Sequence, residues 1–98
     1  MIRATVNLMI VKFKGLVKGS GEPRIKLEGN EAYIVIPEGA RVKHYFLGGV
    51  IYYCIEHGGD KRYFKVKLGS TALGDWVEPL RPDEWAEVEK IMERRGRQ

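Results

Sequence analysis

Residues 42–68 alternate apolar and polar positions in three β-rich runs, which span residues 42–47, 50–57 and 61–68. Two glycine pairs, Gly48-Gly49 and Gly58-Gly59, separate the runs. Two adjacent glycines form a tight hairpin loop easily, because both loop positions can take a positive φ without a Cβ clash. The pattern therefore predicts a three-stranded antiparallel meander.

Two-residue loops also fix the register of this meander, with Leu47 opposite Val50 and Glu56 opposite Lys61. Side chains alternate along a strand, so every residue is assigned to one of two faces. The first, here named the core face, carries Val42, His44, Phe46, Ile51, Tyr53, Ile55, Phe64, Val66 and Leu68. The second, the tyrosine face, carries Lys43, Tyr45, Leu47, Val50, Tyr52, Cys54, Glu56, Lys61, Tyr63, Lys65 and Lys67. We expect the core face to be buried and the tyrosine face to lie in solvent.

The segment before the meander predicts further strands. Residues 2–18 form one long strand or two bent ones, with a bulge near residues 10–12, and residues 24–28 and 32–36 alternate cleanly. Arg24, Lys26 and Tyr33 share one face there. Pro37 then turns the chain towards the meander, so two orthogonal sheets or a small open barrel should result.

The segment after Leu68 loses its periodicity, and we expect Trp76 to dock against the core. A helix is predicted over residues 82–95, because Pro82 suits its first position and acidic residues follow. Its apolar stripe, which we expect to close the core, consists of Trp85, Val88, Ile91 and Met92. The fold class predicted is thus a single β-rich α+β domain over residues 1–98, an SH3-like or two-sheet open barrel with one C-terminal helix.

Charge narrows the choice of partner. The 98 residues carry a formal net charge of +4, but residues 1–68 hold 12 Lys and Arg against 6 Asp and Glu, whereas residues 69–98 hold 5 against 7. The β-rich part is therefore the basic part, which favours nucleic acid over a membrane as partner. Few amide residues and 31% charged residues hint at a thermophile.

The single cysteine, Cys54, precludes an internal disulfide and fits a reducing compartment. The N-terminus lacks a signal-peptide pattern and no run approaches transmembrane length, so we expect a cytoplasmic location.

Catalytic and metal chemistry find little support. Cys54 and His57 lie three apart on one strand and so face opposite sides, and His44 lies on the core face, so no zinc set or Cys-His dyad forms. The carboxylates lack an isolated pair among apolar residues, and Gly19-Ser20-Gly21 lacks the end of a phosphate loop. We therefore expect no enzyme, no metal and no cofactor.

The tyrosine face is the candidate binding surface. Its lysines would neutralise phosphates, its tyrosines would stack on sugars and bases, and two aliphatic residues at a hairpin tip would probe a groove. The candidate nucleic-acid-binding residues are Lys43, Tyr45, Leu47, Val50, Tyr52, Lys61, Tyr63, Lys65 and Lys67. The alternative is a solvated sheet face, where lysine stems pack on tyrosine rings and protect the strand edges.

The run from Val42 to Gly48, the Val50–Tyr53 segment, the Gly58-Gly59 turn and the C-terminal helix together resemble the seven-kilodalton chromatin proteins of thermophilic archaea. That resemblance implies an SH3-like barrel whose sheet lies on the minor groove of duplex DNA without sequence preference. Tyr45 would stand where the family has its DNA-facing tryptophan, Leu47 and Val50 where it has the apolar wedge, and Tyr52 would be another groove contact.

Two functional hypotheses follow. The first is a non-enzymatic, sequence-independent nucleic-acid-binding protein, with duplex DNA favoured over RNA by the resemblance and a basic track extended by Lys12, Lys14, Arg24 and Lys26. The second is a protein-interaction module, or a subunit of a ribonucleoprotein or viral assembly, with dimerisation through open strand edges left as an alternative.

Overall fold

The computed structural model describes residues 11–71 and 74–96. It confirms the predicted fold class, a small β-rich α+β domain with two sheets and a C-terminal helix. The elements are β1 (Lys12–Lys18), β2 (Arg24–Glu28), β3 (Glu31–Ile36), β4 (Arg41–Leu47), β5 (Val50–His57), β6 (Asp60–Thr71), β7 (Gly74–Leu80) and α1 (Pro82–Gly96). The predicted strand over residues 2–10 and the beginning of the predicted bulge lie outside the described residues.

The N-terminal sheet has the order β1-β3-β2, with β1 parallel to β3 and β2 antiparallel to it. The register of β1 shifts between Phe13 and Gly15, slightly later than the predicted bulge. Gly15 adopts a φ of 129°, which a residue with a Cβ rarely reaches, so the glycine determines where the strand is irregular.

The C-terminal sheet is antiparallel throughout and has the order β4-β5-β6-β7. The predicted register of the meander is confirmed, with Leu47 opposite Val50 and Glu56 opposite Lys61. Gly48 and Gly49 have φ values of 61° and 79°, the positive values at both positions that a type I′ hairpin requires.

The fourth strand, β7, was missed in the sequence. Gly74, Asp75 and Pro79 are all poor strand formers, so propensity predicted an irregular segment. The chain is nevertheless paired with β6, because β7 lies at the edge of the sheet, where a proline removes no necessary hydrogen bond. The expectation for Trp76 was also wrong, since its side chain is 52% exposed.

The two sheets enclose the main core. Ile34 and Ile36 of β3 pack against Ile55, Phe64 and Val66 of the C-terminal sheet. The predicted core face is therefore buried along β5 and β6.

The core face is not buried on β4, where Phe46 is 63% exposed, Val42 is 39% exposed and His44 is also exposed. Leu68 on β6 is 53% exposed. The prediction was wrong for these four residues. On β4 the reason is that the side chains of the N-terminal sheet pack on β5, β6 and β7 and leave the edge strand uncovered. Leu68 lies on β6 but outside the packed cluster.

Asp75 joins the two sheets at one corner. Its backbone N–H donates to the carbonyl of Val11 at 2.8 Å, and its carboxylate accepts from the backbone N–H groups of Phe13 and Gly69, both at 2.7 Å. One side chain thus satisfies a backbone donor in β6 and one at the start of β1, and the first residues of β7 lie beside β1.

Helix α1 begins with one half of a capping box, the contact of the Glu84 side chain with the backbone N–H of Arg81. The carbonyl of Arg81 accepts from the N–H of Trp85 at 3.1 Å, and the Glu84 carboxylate accepts from the backbone N–H of Arg81 at 3.2 Å. Pro82 occupies the first helical position, as predicted. Trp85 and Val88 are buried, whereas Ile91 is 37% exposed, so the N-terminal half of the helix makes the contact with the sheet.

Candidate nucleic-acid interface

The tyrosine face consists of rows of directly paired residues that run across the C-terminal sheet, because paired residues in an antiparallel sheet project to the same side. The rows, beginning at the Gly48-Gly49 turn, are Leu47–Val50–Lys67–Trp76, Tyr45–Tyr52–Lys65–Glu78, Lys43–Cys54–Tyr63–Leu80 and Arg41–Glu56–Lys61. All nine predicted site residues therefore share one face, and the sheet adds Trp76, Glu78 and Leu80 of β7 to it.

Helix α1 covers one half of this face. The Trp85 ring stacks on Tyr45 at 5.3 Å between centroids and on Tyr63 at 5.5 Å. Cys54 and Leu80 are 7% and 6% exposed beneath it. The expectation that the tyrosine face lies in solvent is wrong for this half, because the stacking contacts with the buried Trp85 leave Tyr45 and Tyr63 half-buried.

Stacking on Trp85 changes the role of two predicted contacts. Tyr45 and Tyr63 both pack against the helix cluster, so the ring surface that meets Trp85 is closed to a base. Tyr45 is the residue for which the family resemblance implied contact with DNA. We refer below to the residues under Trp85 as the covered half; they are Tyr45, Cys54, Tyr63 and Leu80. The open half lies nearer the Gly48-Gly49 turn and consists of Leu47, Val50, Tyr52, Lys65, Lys67 and Trp76.

Carboxylates neutralise two of the four lysines on the face. Lys43 contacts Glu89 of the helix at 3.0 Å, and Lys65 contacts Glu78 of β7 at 3.1 Å. The hydrogen bond to Glu89 raises the pKa of Lys43, and the hydrogen bond to Glu78 raises the pKa of Lys65, so both ammonium groups stay charged but paired. The face is consequently less basic than the sequence predicted.

The other two lysines, Lys61 and Lys67, are exposed and make no salt bridge within the described part of the chain. Both lie on β6 and point to the same side, Lys61 beyond the covered half and Lys67 in the open half. They differ in what surrounds them: Lys61 lines a pocket at the edge of the helix with Trp85 and Glu89, whereas Lys67 is paired with Val50 and Trp76.

The open half contains the exposed aromatic residue that the sequence analysis missed. Trp76 lies directly opposite Lys67 in the register, with 52% of its surface exposed. Leu47, Val50 and Tyr52 on the same rows are half-buried, so Trp76 is the most exposed apolar side chain on this face. No alternation of polar and apolar residues marks Trp76, because Val77 follows it directly; only the pairing of β7 with β6 places it on this face.

The second predicted basic surface forms on the N-terminal sheet, but its lysines pair with carboxylates of the same sheet. The register places Lys26 opposite Tyr33, as predicted. Lys26 contacts Glu28 at 3.2 Å, Lys14 lies 3.9 Å from Glu31, and the hydroxyl of Tyr33 donates to Glu31 at 2.8 Å. That hydrogen bond raises the pKa of Tyr33. The structure therefore does not join this surface to the tyrosine face as one basic track.

The candidate ligating groups are dispersed. Cys54 is a free, buried thiol on the tyrosine face, and burial raises its pKa, which disfavours the reactive thiolate. His44 projects from the opposite face of the sheet. Within residues 11–71 and 74–96 no group of three or more His, Cys, Asp and Glu side chains is arranged to hold a metal ion.

Comparison of the chain with protein-family models, with curated proteins and with solved structures finds no match. In the two described segments, no helix has the length and apolar character needed to cross a membrane. The geometry of the tyrosine face is therefore the observation from which a function can be proposed.

Proposed function

We propose that this protein is a non-enzymatic nucleic-acid-binding protein that binds DNA without sequence preference through the open half of its tyrosine face. The observation that carries the proposal is the pair formed by Trp76, 52% exposed, and Lys67, its exposed partner in the register. An exposed aromatic ring beside a cation is the combination that stacks on a base and neutralises the neighbouring phosphate.

The neighbouring rows support the same assignment. Leu47 and Val50 end the face at a hairpin tip, where they offer apolar contact to a base or a sugar. Lys65 adds a second ammonium group, which Glu78 holds in place at 3.1 Å and which a phosphate would have to share. None of these groups selects one base over another, because stacking and phosphate contacts occur with every nucleotide.

The charge available in the open half sets the expected salt dependence. Two or three phosphate contacts give a slope of log affinity against log salt of about −2 to −3. We therefore expect a Kd on the order of micromolar at low salt, and a binding constant that falls with rising salt concentration along that slope.

Fluorescence anisotropy tests the proposal with labelled duplex DNA, single-stranded DNA and duplex RNA, titrated at several salt concentrations. Trp76→Ala should weaken binding by about 1–3 kcal/mol, the contribution of one stacked base. Lys67→Ala should weaken it and reduce the salt slope by about 1.

Lys61→Ala is the matched control, because Lys61 is also an exposed lysine on β6 and the same face. We expect it to leave the affinity within twofold of the wild type. Equal losses for Lys61→Ala and Lys67→Ala would refute the assignment to the open half. Absence of binding to all three probes at low salt would refute nucleic-acid binding altogether.

A protein-interaction module is the second candidate, and the groove beside Trp76 favours it. The groove has a volume of about 340 Å³ and is lined by Ile25, Leu27, Trp76 and Val77 together with the acidic Asp75 and Glu78. Both carboxylates are already engaged, Asp75 with the N–H groups of Phe13 and Gly69 and Glu78 with Lys65. The apolar lining is therefore what suits a peptide better than a phosphate backbone. Binding that is insensitive to salt would indicate this function, since apolar contacts are not weakened by counterion competition.

A further inference from the structure

The outer edge of β4 exposes a row of unpaired backbone groups. β4 is the terminal strand of its sheet, and no strand of the described chain pairs with its other side. In a type I′ hairpin the residues that flank the turn, here Leu47 and Val50, exchange both hydrogen bonds. Because alternate residues of an antiparallel strand point their backbone groups the other way, Val42, His44 and Phe46 direct theirs outwards.

Side chains at these same three positions make the edge apolar on the core face. Phe46 is 63% exposed, Val42 is 39% exposed and His44 lies between them. Natural sheets protect an edge with charges, prolines or bulges. β4 contains no proline and its register is regular.

Lys43 is the charged residue nearest the centre of β4, and it points to the tyrosine face, where Glu89 holds its ammonium group at 3.0 Å. The core-face side of the edge is therefore left without a charge between residues 42 and 46.

Within the described residues, the other three outer edges are those of β1, β2 and β7. β7 contains Pro79, and its first residues lie beside β1, where the N–H of Asp75 donates to the carbonyl of Val11.

The edge of β2 is protected by charge. β2 has five residues, of which Arg24, Lys26 and Glu28 are charged. Lys26 and Glu28 form a salt bridge at 3.2 Å, and Arg24 donates to the carbonyl of Ser20 at 2.9 Å. The charges of β2 and the proline of β7 contrast with the uncharged core-face side of β4, and this contrast points to β4 as the edge available for strand addition.

We propose that β4 is a homodimer interface, in which β4 pairs antiparallel with β4 of a second copy about a twofold axis through His44. His44 is the central residue of the seven in β4, so this register pairs the whole strand with itself. Val42 then lies opposite Phe46 of the second copy and His44 opposite His44. All the outward backbone groups of the three residues are paired, which gives about six hydrogen bonds.

The sequence of β4 favours a second copy as the occupant, because it is self-complementary in this register. Val42 meets an aromatic ring, and on the tyrosine face Lys43 meets Tyr45 of the second copy and Arg41 meets Leu47. Within one chain the Lys43 ammonium group already lies 5.6 Å from the ring centroid of Tyr45. The same cation–π contact can therefore form between Lys43 of one copy and Tyr45 of the other.

Other registers are worse. An axis through Lys43 places two lysines directly opposite each other, which is unfavourable between paired residues. An axis through Tyr45 leaves Val42 opposite Gly48 of the second copy and pairs a shorter length of strand. The register through His44 avoids both defects.

A contact of one strand is small, so we expect a weak dimer with a Kd on the order of 10 µM. Sedimentation velocity of the full chain between 1 and 500 µM should therefore show a concentration-dependent shift from monomer to dimer. Phe46→Lys should raise the dimer Kd at least tenfold. Leu68→Lys is the control, because Leu68 is 53% exposed on the same face of β6, away from the edge, and we expect a Kd within twofold of the wild type.

Cysteine cross-linking tests the register. Hydrogen-bonded partners in an antiparallel pair have Cα atoms about 5.5 Å apart, which a disulfide can span. His44→Cys should therefore form a disulfide-linked dimer under mild oxidation. Val42→Cys alone should not, because its partner is Phe46, whereas the double variant Val42→Cys/Phe46→Cys should. Cys54 is buried and present in every variant, so it serves as the common background.

Two outcomes would overturn the proposal. The first is a wild-type chain that stays monomeric at 500 µM, which would leave the β4 edge to a strand of another protein. The second is equal cross-linking of the His44→Cys and Val42→Cys variants, which would indicate random collision. Circular dichroism of each variant confirms that the β-rich fold is retained.

Discussion

Trp85→Ala is the change that tests most directly how the tyrosine face is covered. Trp85 is 5% exposed and stacks on both Tyr45 and Tyr63. Burial of a tryptophan removes about 200 Å² from water, which at about 25 cal/mol per Å² contributes about 5 kcal/mol. Residual burial in the unfolded chain lowers this figure to roughly 3–4.5 kcal/mol. We expect a loss of about 4 kcal/mol, within the range for large aromatic residues replaced by alanine.

A loss of this size is a large part of the total stability, since a chain of this length has a free energy of unfolding of about 5–15 kcal/mol. Urea unfolding followed by far-ultraviolet circular dichroism measures it as a change in midpoint. Ile91→Ala is the matched control in the same helix, because Ile91 is 37% exposed, and it should lose about 1 kcal/mol.

Equal losses for the two variants would refute the reasoning. The helix would then not be held on the sheet by Trp85, and the whole tyrosine face would be free for a ligand. A difference of about 3 kcal/mol between them would instead support a face divided into a covered and an open half.

Three further predictions concern the corner, the thiol and the turn. Asp75→Ala removes the acceptor for Phe13 and Gly69, two charge-assisted bonds, and should lower the free energy of unfolding by about 2–4 kcal/mol in urea titrations. Burial raises the pKa of Cys54, so the stability that this thiol contributes is fully present below its unfolded pKa of about 8.5 and is lost as the pH rises further. Between about pH 8 and pH 9.5 the free energy of unfolding should therefore fall less for Cys54→Val than for the wild type. Gly49→Ala places a Cβ at a φ of 79° with no atom within 4 Å, so thermal unfolding should show only a backbone cost of about 1 kcal/mol.

The register of the meander could be predicted because its determinants are local. Gly48 and Gly49 permit the type I′ turn, and a two-residue loop leaves one register between the strands that it joins. The same logic placed Glu56 opposite Lys61. The residues on each face of the three-stranded meander β4-β5-β6 therefore follow from the local sequence, without any tertiary contact.

Which face would be covered could not be predicted in the same way, because coverage depends on elements distant in the chain. The core face would be buried along its whole width only if the N-terminal sheet covered β4. That sheet packs only on β5, β6 and β7, so Phe46 remains exposed. The tyrosine face would lie in solvent only if α1 packed elsewhere, but Trp85 of α1 stacks on Tyr45 and Tyr63. Alternation of side chains determines which residues share a face and contains no information about what lies above it.

The composition of a face is ambiguous for the same physical reason. Tyrosine rings and lysine stems are apolar surfaces with polar ends, so they bind a base and a phosphate as readily as they pack against a helix that carries tryptophan and glutamate. In this protein both uses of the face lie side by side: Glu89 contacts Lys43 where a phosphate was expected, and Trp85 contacts Tyr45 where a base was expected. Residues of the helix therefore occupy, in the covered half, the positions where a base and a phosphate were expected. The open half, with Lys67 and Trp76, keeps the same combination of ring and cation exposed, and it is the part for which we propose a ligand.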